Sequence, residues 1–292
     1  MLLALRTVRS LRLPRDAAYV LAAPLLLYFS ARPRARAHAV YRMWLEPDTR
    51  ALQAMYAPLR WRPVVNFFAR RLGGSSLRYV DTTLGGVRAV MIDGSGPSEA
   101  RENDERPAVL FVPGGGFVTD FEAADLPFLQ RWARDARVVV IYVTYAFAPQ
   151  RPYPQGMLNV LSAYRALREH DHALGFRASP LILASLSAGS NLATAAILAP
   201  TLQHAAGHSR ASPLAALSPL PPVAMPDAIL LVCPVLNLCR SPSPSRLAFT
   251  SDVLLPMPLL KAFANAYDQG IDHWQVGAIA RYGRLTPRRG PT

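Results

Sequence analysis

Hydrophobic and polar positions change their period along the chain. Residues 38–76 carry apolar side chains at helical spacing: Tyr41, Trp44 and Leu45, then Leu52, Met55 and Tyr56, then Val64, Phe67, Phe68 and Leu72. Gly73 and Gly74 end this part as C-terminal caps do. Leu77 to Thr83 and Val87 to Ile92 read as two strands around a Leu84-Gly85-Gly86 turn, a hairpin, and residues 94–106 read as a solvated loop. From Pro107 onward strands and helices alternate. Ala108 to Val112, Arg137 to Tyr145, Leu181 to Ser185 and Ala228 to Val235 are apolar runs, the first marked as a strand buried on both faces. Helices are predicted at about 122–135, 156–170 and 188–198. Such alternation implies βαβ units, a parallel sheet and right-handed crossovers, so the fold class is α/β, a doubly wound, mostly parallel sheet.

Ala17 to Ser30 is an uncharged stretch of fourteen residues between Arg12 and Arg15 on one side and Arg32, Arg34 and Arg36 on the other. It is short for a full span, which needs about 20 apolar residues. A signal anchor or interfacial helix is the favoured reading, over a mitochondrial transit peptide and a buried helix of the core. The organisation expected is a basic, apolar anchor segment over 1–37, a helical region over 38–76, a core over 77–270 and a basic tail over 271–292. Within the core, the Ser-, Pro- and Ala-rich residues 202–226 read as an insertion or flexible loop.

The composition supports a large core: 292 residues, 51% hydrophobic and 17% charged, exclude disorder over most of the length. A formal charge of +13 raises the question of nucleic acid. Only Lys261 among the 32 basic residues is a lysine, and the arginines are scattered, without an aromatic-interleaved basic stripe. No nucleic-acid partner is therefore expected. Cys233 and Cys239 make neither a disulfide scaffold nor a zinc site and read as buried, inert thiols.

The junction of the third parallel strand with its helix carries the chemistry: Ser185-Leu186-Ser187-Ala188-Gly189-Ser190-Asn191-Leu192. A serine on a sharp strand-to-helix turn is pushed out above the sheet, and small residues two before and two after, here Ser185 and Gly189, let the turn close. The alternative is that Ser187 only caps the helix. After the Ala108–Val112 strand stands Pro113-Gly114-Gly115-Gly116-Phe117. Glycines there permit positive φ and close backbone approach, which an oxyanion hole of N–H donors requires. No Gly-Lys-Ser/Thr or GxGxxG spacing accompanies them, so nucleotide readings are weak and no cofactor or metal is expected.

Between the two lies Tyr145-Ala146-Phe147-Ala148-Pro149-Gln150-Arg151-Pro152-Tyr153-Pro154, and the serine follows the glycine loop by about 70 residues. In that order the three motifs resemble the hormone-sensitive-lipase-like branch of the α/β-hydrolases, which includes arylacetamide and steryl-ester deacetylases and carboxylesterases. That branch carries His-Gly-Gly-Gly-Phe/Tyr, Tyr-Arg-Leu-Ala-Pro-Glu and Gly-Asp-Ser-Ala-Gly-Gly-Asn-Leu. Similarity continues more weakly through the Ala228 strand and a helix from Leu259 to Tyr267. The resemblance implies Ser187 as nucleophile, the N–H groups of Gly115, Gly116 and Ala188 as oxyanion hole, and hydrolysis of lipophilic short-acyl esters through an acyl-enzyme. It also implies a lid from residues 38–76 and membrane association through residues 17–30, at the endoplasmic reticulum, with mitochondrial or cytoplasmic placement as alternatives. It says nothing of oligomeric state.

The sequence departs from that pattern in three places. Pro113 stands for the loop histidine. Ser185 and Leu186 stand for the glycine and acidic residue before the nucleophile. The family's Asp-Pro-Leu and His-Gly-Phe segments do not occur, so the fold is read as incomplete at its C-terminus, with a sheet edge left open. Asp272 and His273 are the candidates for acid and base. A catalytically inactive or truncated relative, binding a ligand or partner at most, is the alternative to an active esterase.

Overall fold

The computed structural model describes residues 66, 70–71, 77–94, 105–119, 122–169, 174–206, 219–236, 238 and 257–268. The segment 1–37, nearly all of 38–76 and the tail 271–292, including Asp272 and His273, lie outside the described residues.

Strands β1 (Arg78–Leu84) and β2 (Val87–Asp93) form the expected hairpin. They are followed by β3 (Glu105–Val112), α1 (Glu122–Asp135), β4 (Val139–Val143), α2 (Gln155–Arg168), β5 (Arg177–Leu186), α3 (Ala188–Ala206), β6 (Ala228–Val232) and α4 (Met257–Tyr267). One sheet has the order β1-β2-β4-β3-β5-β6, with β3, β4, β5 and β6 parallel and β2 antiparallel to both its neighbours. β3 lies inside the sheet, and all of Ala108 to Val112 is buried, as the apolar run predicts. Side chains alternate between two cores. Leu110, Val112, Ile141 and Leu183 face α2 and α3, whereas Val109, Phe111, Val140 and Tyr142 face Leu126, Leu129 and Ala133 of α1. Helices on both faces make the sheet doubly wound.

Several boundaries differ from the sequence reading, most of them for a local reason. β3 and β5 begin before Pro107 and Pro180, because both prolines sit where the register slips between Arg106 and Ala108 and no ladder N–H is needed. β4 begins at Val139, not Arg137, since Arg137 turns left-handed (φ +52) and Val138 N–H bonds back to the Ala133 carbonyl to close α1. β6 stops at Val232, because Cys233 (φ +46) turns the chain and Val235 N–H donates to the Ser187 carbonyl. α3 runs on to Ala206, so the 202–226 stretch starts as helix. Its far end is packed: Tyr164 Oη donates to the Ala224 carbonyl (2.8 Å), Arg168 to Met225 (2.6 Å) and Arg165 to Pro221. Residues 207–218 lie outside the described residues.

Cys233 is exposed, which corrects the expectation of a buried thiol; Cys239 lies outside the described residues. β6 is an outer strand of the described sheet, and among the described residues its Ile229, Leu230 and Val232 are exposed.

Asp227 fixes where β6 starts. Its carboxylate accepts the Leu181 N–H at 2.7 Å, its own N–H donates to the Leu181 carbonyl, and Arg168 lies 3.2 Å away. The Leu181 N–H, with Arg168 adding to it, holds this carboxyl below the usual carboxylate range. A carboxyl lowered on folding stabilises the fold above its unfolded pKa, near 3.9, and loses that contribution as pH falls through the depressed folded value. Melting temperature measured between pH 6 and pH 2 should therefore fall less steeply at its acid end for Asp227→Asn than for the wild type.

Helical residues ahead of β1 are tied to the start of α1. Glu122, 3% exposed, accepts from Asn66 Nδ2 (2.6 Å) and from Arg70 Nε (3.1 Å) and Nη2 (2.8 Å), while Arg70 also reaches the exposed Asp81 (3.2 Å). Burial alone would lower the Arg70 pKa, but the two carboxylates raise it above its ordinary value. Arg70→Ala leaves a buried carboxylate without its cation and should cost about 3 kcal/mol or more in denaturant melts. Asp81→Ala, at the exposed end of the same network, should cost under about 1 kcal/mol.

Candidate active site

Ser187 stands between the last residue of β5 and the first of α3, with φ +51. Helix N-caps take extended backbone, so this left-handed residue is a turn of its own and not the cap that serine at such a place also allows. A non-glycine residue there carries a cost of about 1–2 kcal/mol. Backbone bonds on both sides hold it: Ser187 N–H donates to the Val232 carbonyl (2.9 Å), and its carbonyl accepts Ser190 N–H (3.0 Å) and Val235 N–H (3.3 Å). The end of β6 thus pins the serine.

The turn closes because its neighbours are small. A Cβ on Gly189 would overlap the carbonyl oxygens of Val112 and Pro113, so the first turn of α3 presses directly on the end of β3. Ser185, in the place of the family's glycine, is fully buried in extended strand. Its hydroxyl donates to Ser190 Oγ (3.1 Å) and lies 3.5 Å from the Leu230 carbonyl. The extra hydroxyl is accommodated by hydrogen bonding.

The glycine loop lies against this turn. A Cβ on Gly114 would come within 3.1 Å of both Ser187 Cβ and the Leu186 carbonyl. Gly115 and Gly116 have φ of +120 and +61, and a Cβ on Gly115 would overlap the Thr119 carbonyl. The Gly115 carbonyl accepts Val118 and Thr119 N–H, which folds the loop back on itself. Among the described residues, no backbone carbonyl outside the helix and strand ladders takes the N–H of Gly115, Gly116 or Ala188. The last of these is the first residue of the 19-residue α3, whose positive end adds to the local field. Pro113, where the family has histidine, is buried, and its carbonyl accepts the Tyr145 hydroxyl at 3.2 Å. The Tyr145–Pro154 motif also reaches the loop through Ala148 N–H, which donates to the Phe117 carbonyl (2.9 Å).

Sequence reasoning brought together Ser187, Gly115, Gly116 and Ala188, and the fold assembles all four where β3 and β5 end. Asp272 and His273 lie outside the described residues, and no histidine side chain is among those described. Sequence reasoning missed the aromatic residues of α4. The Tyr267 ring stacks on Phe117 (centroids 4.1 Å apart, planes at 14°), and the Phe263 ring lies over Gly116. Burial pushes the Tyr267 and Tyr153 phenols up, so both stay protonated at neutral pH.

Sheet order, serine turn and apposed glycine loop define the α/β-hydrolase fold, and comparison with known proteins agrees. The family model described as alpha/beta hydrolase fold matches residues 109–287. The chain belongs to this family. It is 32% identical to mouse hormone-sensitive lipase over 171 residues, 58% of this chain and 20% of that protein. It is 33% identical to the ethyl acetate hydrolase of Pseudomonas putida over 185 residues, 63% of this chain and 49% of that one. Among solved structures, the hyperthermophilic esterase from Pyrobaculum calidifontis superposes with a TM-score of 0.56 at 21% identity, covering 81% of this chain and 70% of that one. These relatives put the chain in the hormone-sensitive-lipase-like branch, and it spans about a fifth to a half of the two relatives matched in sequence. Among the described residues, no helix is long and apolar enough to cross a membrane, and residues 17–30 lie outside them.

Proposed function

We propose that the protein is a serine carboxylester hydrolase acting on lipophilic esters of short acids. The observation that carries the reading is the left-handed Ser187 abutting a glycine loop whose N–H groups are not taken up by the described backbone. In the proposed reaction Ser187 Oγ attacks the ester carbonyl carbon while its proton passes to a base. The carbonyl oxygen becomes an oxyanion held by the N–H groups of Gly115, Gly116 and Ala188. Collapse of the tetrahedral intermediate breaks the bond to the alcohol oxygen, which leaves with the proton. Water then attacks the acyl-enzyme, giving the acid and free Ser187. Within this chain Asp272 and His273 are the candidates for acid and base. Donors fixed in advance by β3, β5 and α3 favour the charged intermediate over the neutral ester, and that difference accelerates the reaction.

The sequence pattern of residues 17–30 extends the proposal to a membrane surface, where lipophilic esters partition, and the family resemblance points to that of the endoplasmic reticulum. The test is hydrolysis of p-nitrophenyl acetate, butyrate and dodecanoate by the full chain. Turnover of the acetate and butyrate esters ahead of the dodecanoate supports the reading. No turnover of any of them by folded protein contradicts it.

A further inference from the structure

We infer that Tyr267 and Phe263 of α4 are positioning residues that hold the oxyanion loop in its left-handed form; the inference rests on the acyl-transfer reading above and deepens it. Gly116 and Phe117 adopt left-handed backbone in succession (φ +61 and +67). Glycine takes that conformation freely, but phenylalanine does so rarely and only where its surroundings over-determine it. The Phe117 side chain is buried, and its ring is stacked on Tyr267 at 4.1 Å. Tyr267 is itself fixed: its carbonyl accepts the Tyr153 N–H (2.9 Å), and its ring meets Tyr153 edge to face at 5.8 Å.

One turn earlier on the same face of α4, Phe263 covers Gly116 so closely that a Cβ there would stand 2.6 Å from the ring. The two residues of the left-handed pair therefore each carry one aromatic ring from α4. Rotating either peptide would swing the Gly116 N–H away from the oxyanion and would break a stack or drive backbone into a ring. The phenol oxygen takes no part in this, so the ring, not the hydroxyl, does the positioning.

The experiment compares Tyr267→Leu, Tyr267→Phe and Leu129→Ala in the full chain. Leu129 is buried on the opposite face of the sheet and serves as a destabilised control. Labelling by a fluorophosphonate is resolved into its saturating rate and its half-saturation, well below each melting temperature. Exchange of the 114–119 amides is followed by mass spectrometry.

Tyr267→Leu should slow the saturating labelling rate by about 10²-fold, the scale of a donor misplaced by about 1 Å, with half-saturation within twofold. It should also speed exchange of the loop amides at least tenfold. Tyr267→Phe should keep both at wild-type values, and Leu129→Ala should keep both despite its lower melting temperature. Wild-type labelling and exchange in Tyr267→Leu would overturn the inference. If the wild type itself does not label, the acyl-transfer reading falls, and loop exchange alone then decides whether the clamp exists.

Discussion

Ser187→Ala is expected to lower kcat for p-nitrophenyl butyrate by about 10⁴-fold or more, with KM and melting temperature changed little. The magnitude follows from losing the attacking atom: enzymes stripped of a triad member fall by that order and keep only what the oxyanion hole and binding supply. Stability should hold because Ser187 is fixed by its backbone, through Val232, Ser190 and Val235, and not by its hydroxyl. Ser185→Ala is the contrast. That hydroxyl is buried and bonded to Ser190, so its loss should cost about 1 kcal/mol in stability and leave kcat near wild type. Steady-state kinetics and thermal melts of the two variants separate a reacting serine from a structural one two residues away.

Gly189→Ala should be strongly destabilising, against the usual effect of alanine in a helix. In an ordinary helix that change would gain up to about 1 kcal/mol, because alanine is the better helix former. Here the methyl overlaps the carbonyls of Val112 and Pro113, two backbone oxygens that cannot turn aside. Either α3 moves off β3, opening the gap between Ser187 and the glycine loop, or the protein loses of order 4 kcal/mol. Gly175→Ala gives the scale: it meets nothing within 4 Å, and its φ of +68 makes its cost about 1–2 kcal/mol of backbone strain alone. Denaturant melts should rank Gly189→Ala well below Gly175→Ala, with activity lost in the former and kept in the latter.

The parts of the fold legible in sequence were those written in local pattern. Ala108–Val112 is apolar throughout because both faces of an inner parallel strand are covered, and the structure buries every one of those residues. The Ser187 turn and the glycine loop were legible because each needs small residues at fixed offsets. Prolines misled the strand boundaries. Pro107 and Pro180 look like starts, yet a register slip lets both strands run through them.

Cys233 misled for a different reason: its apolar neighbours Leu230, Leu231 and Val232 imply burial, but β6 is an outer strand of the described sheet, and its apolar residues are mostly exposed. What no local pattern could disclose are the contacts between segments far apart in the chain. Arg70 with Glu122, Tyr145 with the Pro113 carbonyl, and Tyr267 with Phe117 are each created by the fold, and their members look ordinary where they stand. The Tyr145 contact does supply a physical reason for the departure at Pro113. The loop position that carries histidine in the family is anchored here through its carbonyl by a tyrosine from the neighbouring motif.

Ser187 is proposed to be an activated nucleophile facing an oxyanion hole. The most direct test is treatment of the full chain with a fluorophosphonate, followed by mapping of the adduct by peptide mass spectrometry, with Ser187→Ala alongside. One phosphonylated residue is expected, Ser187, with Ser185 and Ser190 unmodified and no adduct in Ser187→Ala. A folded wild-type chain that takes up no probe, or an adduct that persists in Ser187→Ala, would contradict it.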